Sequence, residues 1–413
     1  FLFLVQVSNP RSTLIRNGCG TMIGSILLLI LVFVSRVDSL AQVSLQVDSL
    51  GTNAARSANM LRKMQLGSTM KASITRNDYD DASLHNLSRV SPTAEANVFL
   101  YPRNPDYVHP LDAVGQYLEK KAVANLNSDL VSTNLESLLE FPTRSYADRD
   151  QSSNVEEFLA RSFGSAGLMS CRHSFGRDDA HNVELLNVLA FLQGSSEETV
   201  TIGAHYDDLP LSAGADDNGS GVAALLAIAN ATSRAFADAM MKPVASIYFV
   251  AFGAGQGGNL GSTAFADALF DGVVGIDDRC KSSGSTSINT SHHHVIVMDR
   301  VGRTETGSPS VLLQSQAWTK PIMDHLRESS QRHNGDALQV METNRTNSGD
   351  HTHFLSNNIS AVLTTSNIAN THLPPLNDTI GSIDENLIYM ISKMNLGALI
   401  RLAGVQPLEA PAA

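Results

Sequence analysis

The sequence predicts an α/β domain built on a largely buried sheet. Continuous apolar runs of strand length alternate with helical stretches from about residue 126 onward. Such alternation favours strands joined by helical crossovers. The runs end in clusters rich in Gly, Asp and Asn, which break regular structure. The composition, 43% hydrophobic and 17% charged, suits a chain with a sizeable core.

The elements follow in order. Leu185 to Leu192 and Thr199 to Ala204 read as buried strands. Gly221 to Ala229 reads as a helix rich in Ala and Leu. Ala245 to Phe252 is the next strand, and Leu260 to Phe270 the next helix. His294 to Met298, Ser310 to Gln314 and Ala361 to Thr365 are further strands, and Ile383 to Leu402 is a closing amphipathic helix. Residues 42–125 carry turn-rich stretches without strong periodicity and read as an N-terminal extension or pro-region.

The chain starts at Phe1, and an apolar run, Ile23 to Val34, follows Met22. Arg36 and Asp38 end it, and Ser39-Leu40-Ala41 offers small residues for cleavage, the pattern of a secretory signal peptide. The run is shorter than the ~20 residues a spanning helix needs, which disfavours the rival signal anchor. The expected organisation is therefore 1–41 upstream residues and signal peptide, 42–125 extension and 126–413 the α/β domain. Sequons at Asn86, Asn230, Asn289, Asn344, Asn358 and Asn377 agree with a secreted glycoprotein. Cys171 and Cys280 would either pair in such a compartment or stay as two buried thiols. A net charge of −12 argues against nucleic acid as the main partner, and no stable membrane association is expected after signal cleavage.

Ligand sites in α/β sheets form where loops leave the carboxyl ends of strands. Four such places carry metal-ligand chemistry. One strand runs into His205-Tyr206-Asp207-Asp208, and Gly214-Ala215-Asp216-Asp217-Asn218-Gly219 precedes a helix. Another strand runs into Asp299-Arg300-Val301-Gly302, and a late segment reads Asp350-His351-Thr352-His353-Phe354. Imidazole and carboxylate together are zinc ligands of catalytic type. The Asp207 carboxylate, two residues after His205, is placed to orient that ring.

Taken together, these motifs, with Phe249 to Phe252 and Leu260-Gly261-Ser262, resemble the co-catalytic zinc aminopeptidases of clan MH. Phe141-Pro142-Thr143-Arg144 and the segment Asn377 to Asp384 add to the likeness, which covers roughly residues 126–405. The resemblance implies a three-layer domain with a central, mostly parallel mixed sheet flanked by helices. It also implies hydrolysis of peptide bonds in a peptide or amino-acid-derived substrate, and two zinc ions. His205 and Asp299 would bind one, Asp216 would bridge both, and His351 would bind the second with a glutamate.

In the family, that glutamate follows another that acts as general base. Here the loop reads Gly253-Ala254-Gly255-Gln256-Gly257-Gly258, which puts Gly255 at the base position and Gln256 at the ligand position. Gly255 cannot accept a proton, and the neutral Gln256 amide is a weaker ligand than a carboxylate. One firm zinc, a weakened second site and impaired catalysis are the expectation, unless Glu305 or Glu342 supplies another base. The alternative is a non-catalytic pseudopeptidase that binds or supports structure.

The same loop fits the Gly-x-Gly-x-x-Gly of dinucleotide-binding turns. Two strands precede it, however, and the neighbouring strand ends carry metal ligands that a dinucleotide enzyme does not use. His292 to His294 reads as a surface loop, His353 as supporting structure, His372 as a cleft residue and Trp318 as a core or helix-start residue. Gly219 and Gly221 read as close-packing positions.

Overall fold

The computed structural model describes residues 2–7, 13–17, 43–47, 72–75, 112–271, 275–281, 293–304, 308–346, 348–367 and 375–408. The expected signal segment, Asn86, Asn289, His292, Glu305 and His372 lie outside the described residues. The chain divides into two units, residues 1–101 and 102–413. In the first, β1 (Leu2–Val7), β2 (Thr13–Asn17), β3 (Val43–Val47) and β4 (Ala72–Thr75) form a sheet of order β2-β1-β3-β4.

The second unit starts with α1 (Ala113–Asn125), α2 (Ser128–Leu139) and α3 (Arg149–Ser165). Each has a cap that the sequence supplies. Asp112, Asn127 and Asp148 accept amide hydrogen bonds from Gly115, Asp129 and Gln151, satisfying donors that a helix start leaves open. Helix α1, which precedes the expected domain start at residue 126, buries Leu118 and Ala122 in the main core.

Next come β5 (Met169–Asp178), β6 (Val183–Leu192), β7 (Thr199–His205), α4 (Gly221–Ala239), β8 (Met241–Pro243) and β9 (Ser246–Phe252). They are followed by α5 (Leu260–Phe270), β10 (His293–Met298), β11 (Ser310–Gln314), α6 (Lys320–His333) and β12 (Gln339–Thr343). The unit closes with α7 (His351–Ser356), β13 (Ser360–Ser366), α8 (Glu385–Ala403) and β14 (Val405–Pro407). Trp318 stands in the turn just before α6 and packs against the core. Among the described residues, no helix is long and apolar enough to cross a membrane.

The main sheet has eight strands in the order β12-β11-β13-β10-β7-β9-β6-β5. Its centre, β13-β10-β7-β9, is parallel, and β6 and β5 continue it antiparallel. This is the mixed, mostly parallel sheet flanked by helices that the sequence predicts. The central strands fall within a residue or two of their expected bounds, because they are buried on both faces and read as unbroken apolar runs. The edge strands β5 and β12 escape that reading. β5 mixes exposed positions with the buried Cys171 and His173, and β12 is exposed or half-buried throughout, so no apolar run marks them.

Side chains of β9 alternate between two cores. Ile247, Phe249 and Ala251 join α1, α2, α4 and α8, whereas Tyr248, Val250 and Phe252 join Phe265 of α5 and Phe354 of α7. The period of two along a strand makes these opposite faces of the sheet, and the two helical layers cover them.

Cys171 of β5 and Cys280 form a disulfide, which settles the two open readings in favour of pairing. The bond spans 109 positions, and a loop of that order contributes roughly 4–5 kcal/mol in the chain-entropy account.

Next to it, His173 is buried, and burial pushes its pKa down to about 4. Its Nδ1 accepts a hydrogen bond from Asn187 (3.1 Å). The unfolded chain takes up a proton at this side chain below pH ~6.5, and the native chain only below about 4. Stability therefore falls by about 3 kcal/mol on acidification from 6.5 to 4. In His173→Gln, that part of the acid limb of a urea-denaturation series is expected to flatten. An unchanged acid limb would show that His173 titrates alike in both states.

Candidate metal centre

Strand β7 lies between β10 and β9 and runs parallel to both, so the carboxyl ends of all three open on one edge. His205 is the last residue of β7 and is buried. Its Nδ1 donates to the main-chain carbonyl of Asp207 at 3.1 Å. That bond fixes the ring and turns Nε2 toward Oδ1 of Asp217 (3.4 Å) and Oδ1 of Asp299 (3.6 Å). Burial alone would lower the His205 pKa, but the two carboxylates outweigh it and hold the imidazole well above its ordinary value. Asp299 is pushed up by burial, yet His205 and Arg300 bring it below the ordinary value.

His205, Asp217 and Asp299 each offer an atom within 4.8 Å of the others. Ligands at ~2.0–2.1 Å from a tetrahedral zinc lie ~3.4 Å apart, close to the spacings seen here. Asp299 Oδ1 is buried without a hydrogen-bond partner among the described residues. The donor set therefore fits a divalent ion, which would displace the proton that His205 otherwise holds.

The neighbouring acidic residues make hydrogen bonds of their own. Asp216, read as the bridging ligand, turns its Oδ1 to the Gly302 amide (2.8 Å) and the Ser220 hydroxyl (3.3 Å). Burial pushes its pKa up to about 7. Asp217 takes the place beside His205 instead. The amides of both residues donate to the Asp378 carboxylate, at 2.7 and 3.0 Å, which presents the Asp217 side chain to the centre.

Asp207, expected to orient His205 through its carboxylate, has Oδ1 3.8 Å from His205 Nδ1, while its main-chain carbonyl makes the shorter contact at 3.1 Å. The carboxylate, wholly buried, accepts the amides of Gly255 (2.6 Å) and Gln256 (2.9 Å) and so anchors the glycine-rich loop. Asn187 ties the two ends of that loop. It accepts from the Gly253 amide and donates to the Gly261 carbonyl, each at 2.9 Å.

The loop sits directly on His205. A Cβ built on Gly255 would lie 2.5 Å from Cβ and Cγ of His205. Gln256 turns its amide nitrogen to Asp217 Oδ1 at 2.8 Å.

His351 opens α7, and both its ring nitrogens are buried without a partner among the described residues. Burial pushes its pKa down to about 4, which leaves it neutral, the state a metal ligand needs. It is not part of the three-residue cluster. Asp350 holds the start of α7 by accepting from Ser262 of α5 at 2.6 Å. His353 is half-buried on α7. Glu342, on β12, is engaged by Arg327 (2.8 Å) and Lys320 (3.2 Å), so the rival base is spent on ion pairs.

Arg144, wholly buried, closes the floor of the site. It donates to the carbonyls of Tyr206 (3.1 Å), Leu138 (3.4 Å), Ala213 (2.9 Å) and Gly214 (2.8 Å) and stands 3.6 Å from the Asp208 carboxylate. Gly214 has φ +58°, and a Cβ there would meet Arg144 Nη2 at 2.5 Å, so this turn requires glycine.

A His and two Asp side chains thus gather at the carboxyl edge of an α/β sheet, with an oxygen that is buried and unpartnered among the described residues, an arrangement that could hold a metal ion. The sequence profile of Peptidase family M28 matches residues 187–398, which include His205, Asp217 and Asp299, and the chain belongs to that family. Leucine aminopeptidase 1 of Emericella nidulans is 30% identical over 192 residues, 42% of this chain and 45% of that protein. The chain thus matches about half the length of such relatives. The LapA aminopeptidase of Legionella pneumophila has the same fold, with TM-score 0.56 and 16% identity, over 70% of this chain and 75% of that one. So does an aminopeptidase from Aneurinibacillus sp., with TM-score 0.53 and 14% identity, over 70% of this chain and 97% of that one.

Proposed function

We propose that this chain is a secreted, aminopeptidase-type zinc exopeptidase whose hydrolytic step is impaired. The carrying observation is the loop at Gly255 and Gln256, where a carboxylate base and a charged ligand would be needed. His205, Asp217 and Asp299 would hold one zinc firmly, and His351 with the Gln256 amide would make a weaker second place. A bound zinc supplies Lewis acidity to a scissile carbonyl and acidifies water. The chain's own part is to fix the ligands: the Asp207 carbonyl orients His205, and Asp378 presents Asp217. What it lacks is a side chain at 255 to take the proton. Losing a positioned base costs about 10² to 10⁴ in rate.

The substrate class is a peptide or amino-acid derivative, in line with the relatives named aminopeptidases. Secretion is supported by the apolar segment before Ser39-Leu40-Ala41 and by the disulfide, which persists in oxidising compartments. The sequons support glycosylation of the mature chain.

The test is zinc analysis with an aminoacyl-p-nitroanilide assay on the full chain, beside a family member carrying both glutamates. One zinc per chain and turnover lower by about 10² to 10⁴ is expected. Equal turnover would sink the reading. Gln256→Glu should raise the zinc content toward two. Gly255→Glu should instead lower stability by about 1–3 kcal/mol, because its Cβ would press on His205.

One observation favours a second reading, a non-catalytic peptide-binding protein. The loop backbone fills the space at His205 where a catalytic side chain would stand. Retained zinc with no turnover above buffer would select this reading.

A further inference from the structure

Among the described residues, Arg300 is the arginine paired with a proposed ligand, and neither the motifs nor the roles above account for it. Its φ is +51°, a left-handed conformation that costs free energy in a residue with a side chain. Three hydrogen bonds hold it there. The Arg300 amide donates to Asn218 Oδ1 (3.2 Å), and its carbonyl accepts from Ser366 N–H (2.9 Å) and Thr365 Oγ1 (3.3 Å). So pinned, the side chain puts Nη2 3.1 Å from Asp299 Oδ2 with only about a fifth of its surface exposed. Its Nε is buried with no partner among the described residues.

The pairing is selective. Arg300 takes Oδ2 of Asp299 and leaves Oδ1, the atom facing His205, free. A cation that is always protonated is thus fixed against Asp299, one carboxylate of the centre. The companion change is Gln256, which brings an N–H to Asp217 where a carboxylate would have added negative charge. Both features reduce the negative charge available to a metal ion.

We propose that Arg300 is a resident cation of the centre, which holds Asp299 in place without metal and lowers the centre's affinity for a divalent ion. The proposal rests on reading His205, Asp217 and Asp299 as a metal centre. Coulomb repulsion between a guanidinium and a dication a few ångströms apart in a partly buried site is enough to change affinity by about 10- to 100-fold.

The test uses the full chain and three variants. Arg300→Met removes charge and donor, Arg300→Gln keeps a donor without charge, and Arg300→Lys keeps the charge. Zinc affinity is read by competition with a chromophoric chelator, and thermal unfolding is followed in EDTA and in zinc. Arg300→Met and Arg300→Gln are expected to bind zinc about 10- to 100-fold more tightly, to melt lower in EDTA and to gain more from zinc than the parent chain. Arg300→Lys should stay near the parent. Unchanged or weaker zinc binding in the Met and Gln variants would overturn the proposal and leave Arg300 a hydrogen-bonding support. Folded protein that takes up no zinc in any form would instead overturn the metal-centre reading on which it rests.

Discussion

Asp217→Ala is expected to weaken zinc binding by more than about 100-fold, whereas Asp216→Asn should stay within about tenfold of the parent chain. The two residues are adjacent, and both are acidic. Asp217 Oδ1 stands 3.4 Å from His205 Nε2, in the range expected for two ligands of one ion. Asp216 Oδ1 is committed to the Gly302 amide, a bond that asparagine can still accept. Removing Asp217 takes a charged ligand from a three-residue set, a larger loss than the 10- to 100-fold typical of outer partners. Chelator competition on both variants measures the difference. Equal losses would show that the two carboxylates share the ion, and a larger loss in Asp216→Asn would reverse the assignment.

Arg144→Met is expected to lower unfolding free energy by about 3–5 kcal/mol, read from urea denaturation. Burial pulls the guanidinium pKa down and pushes that of Asp208 up, so desolvation weighs heavily on both partners. Methionine would fill much of the volume but take the guanidinium donors from four carbonyls, of which Gly214 keeps the Gly219 amide, and leave the Asp208 charge buried without a cation. Arg144→Lys should recover little, since a compact ammonium cannot reproduce the planar fork that reaches four carbonyls. A loss below about 1 kcal/mol would mean that water replaces the guanidinium at low cost. The same variant should also loosen the loop between His205 and Gly214, because three of the four carbonyls belong to it.

The central sheet was readable because its strands are buried on both faces, and that leaves continuous apolar runs in the chain. The helices α4, α5 and α8 carried composition or spacing of their own. Edge strands and the N-terminal helices lacked such runs, and their pairing depends on neighbours distant in sequence. The site was readable to the level of segments. His205, Asp299 and the Asp216-Asp217 doublet were marked by their positions after strands, but spacing alone could not choose between the two aspartates. Asp378, 161 residues from Asp217, makes that choice through the backbone amides. Nor could spacing show that the Asp207 carboxylate serves the glycine-rich loop.

The sequence by itself determined the α/β class, the family and the presence of Gly255 and Gln256 in the glycine-rich loop, because each is written in local order and residue type. Only the tertiary structure decided which aspartate faces His205, that Cys171 and Cys280 pair, and that Arg300 lies against Asp299. Those outcomes depend on directions of side chains and on contacts between distant segments, which packing fixes and sequence spacing does not.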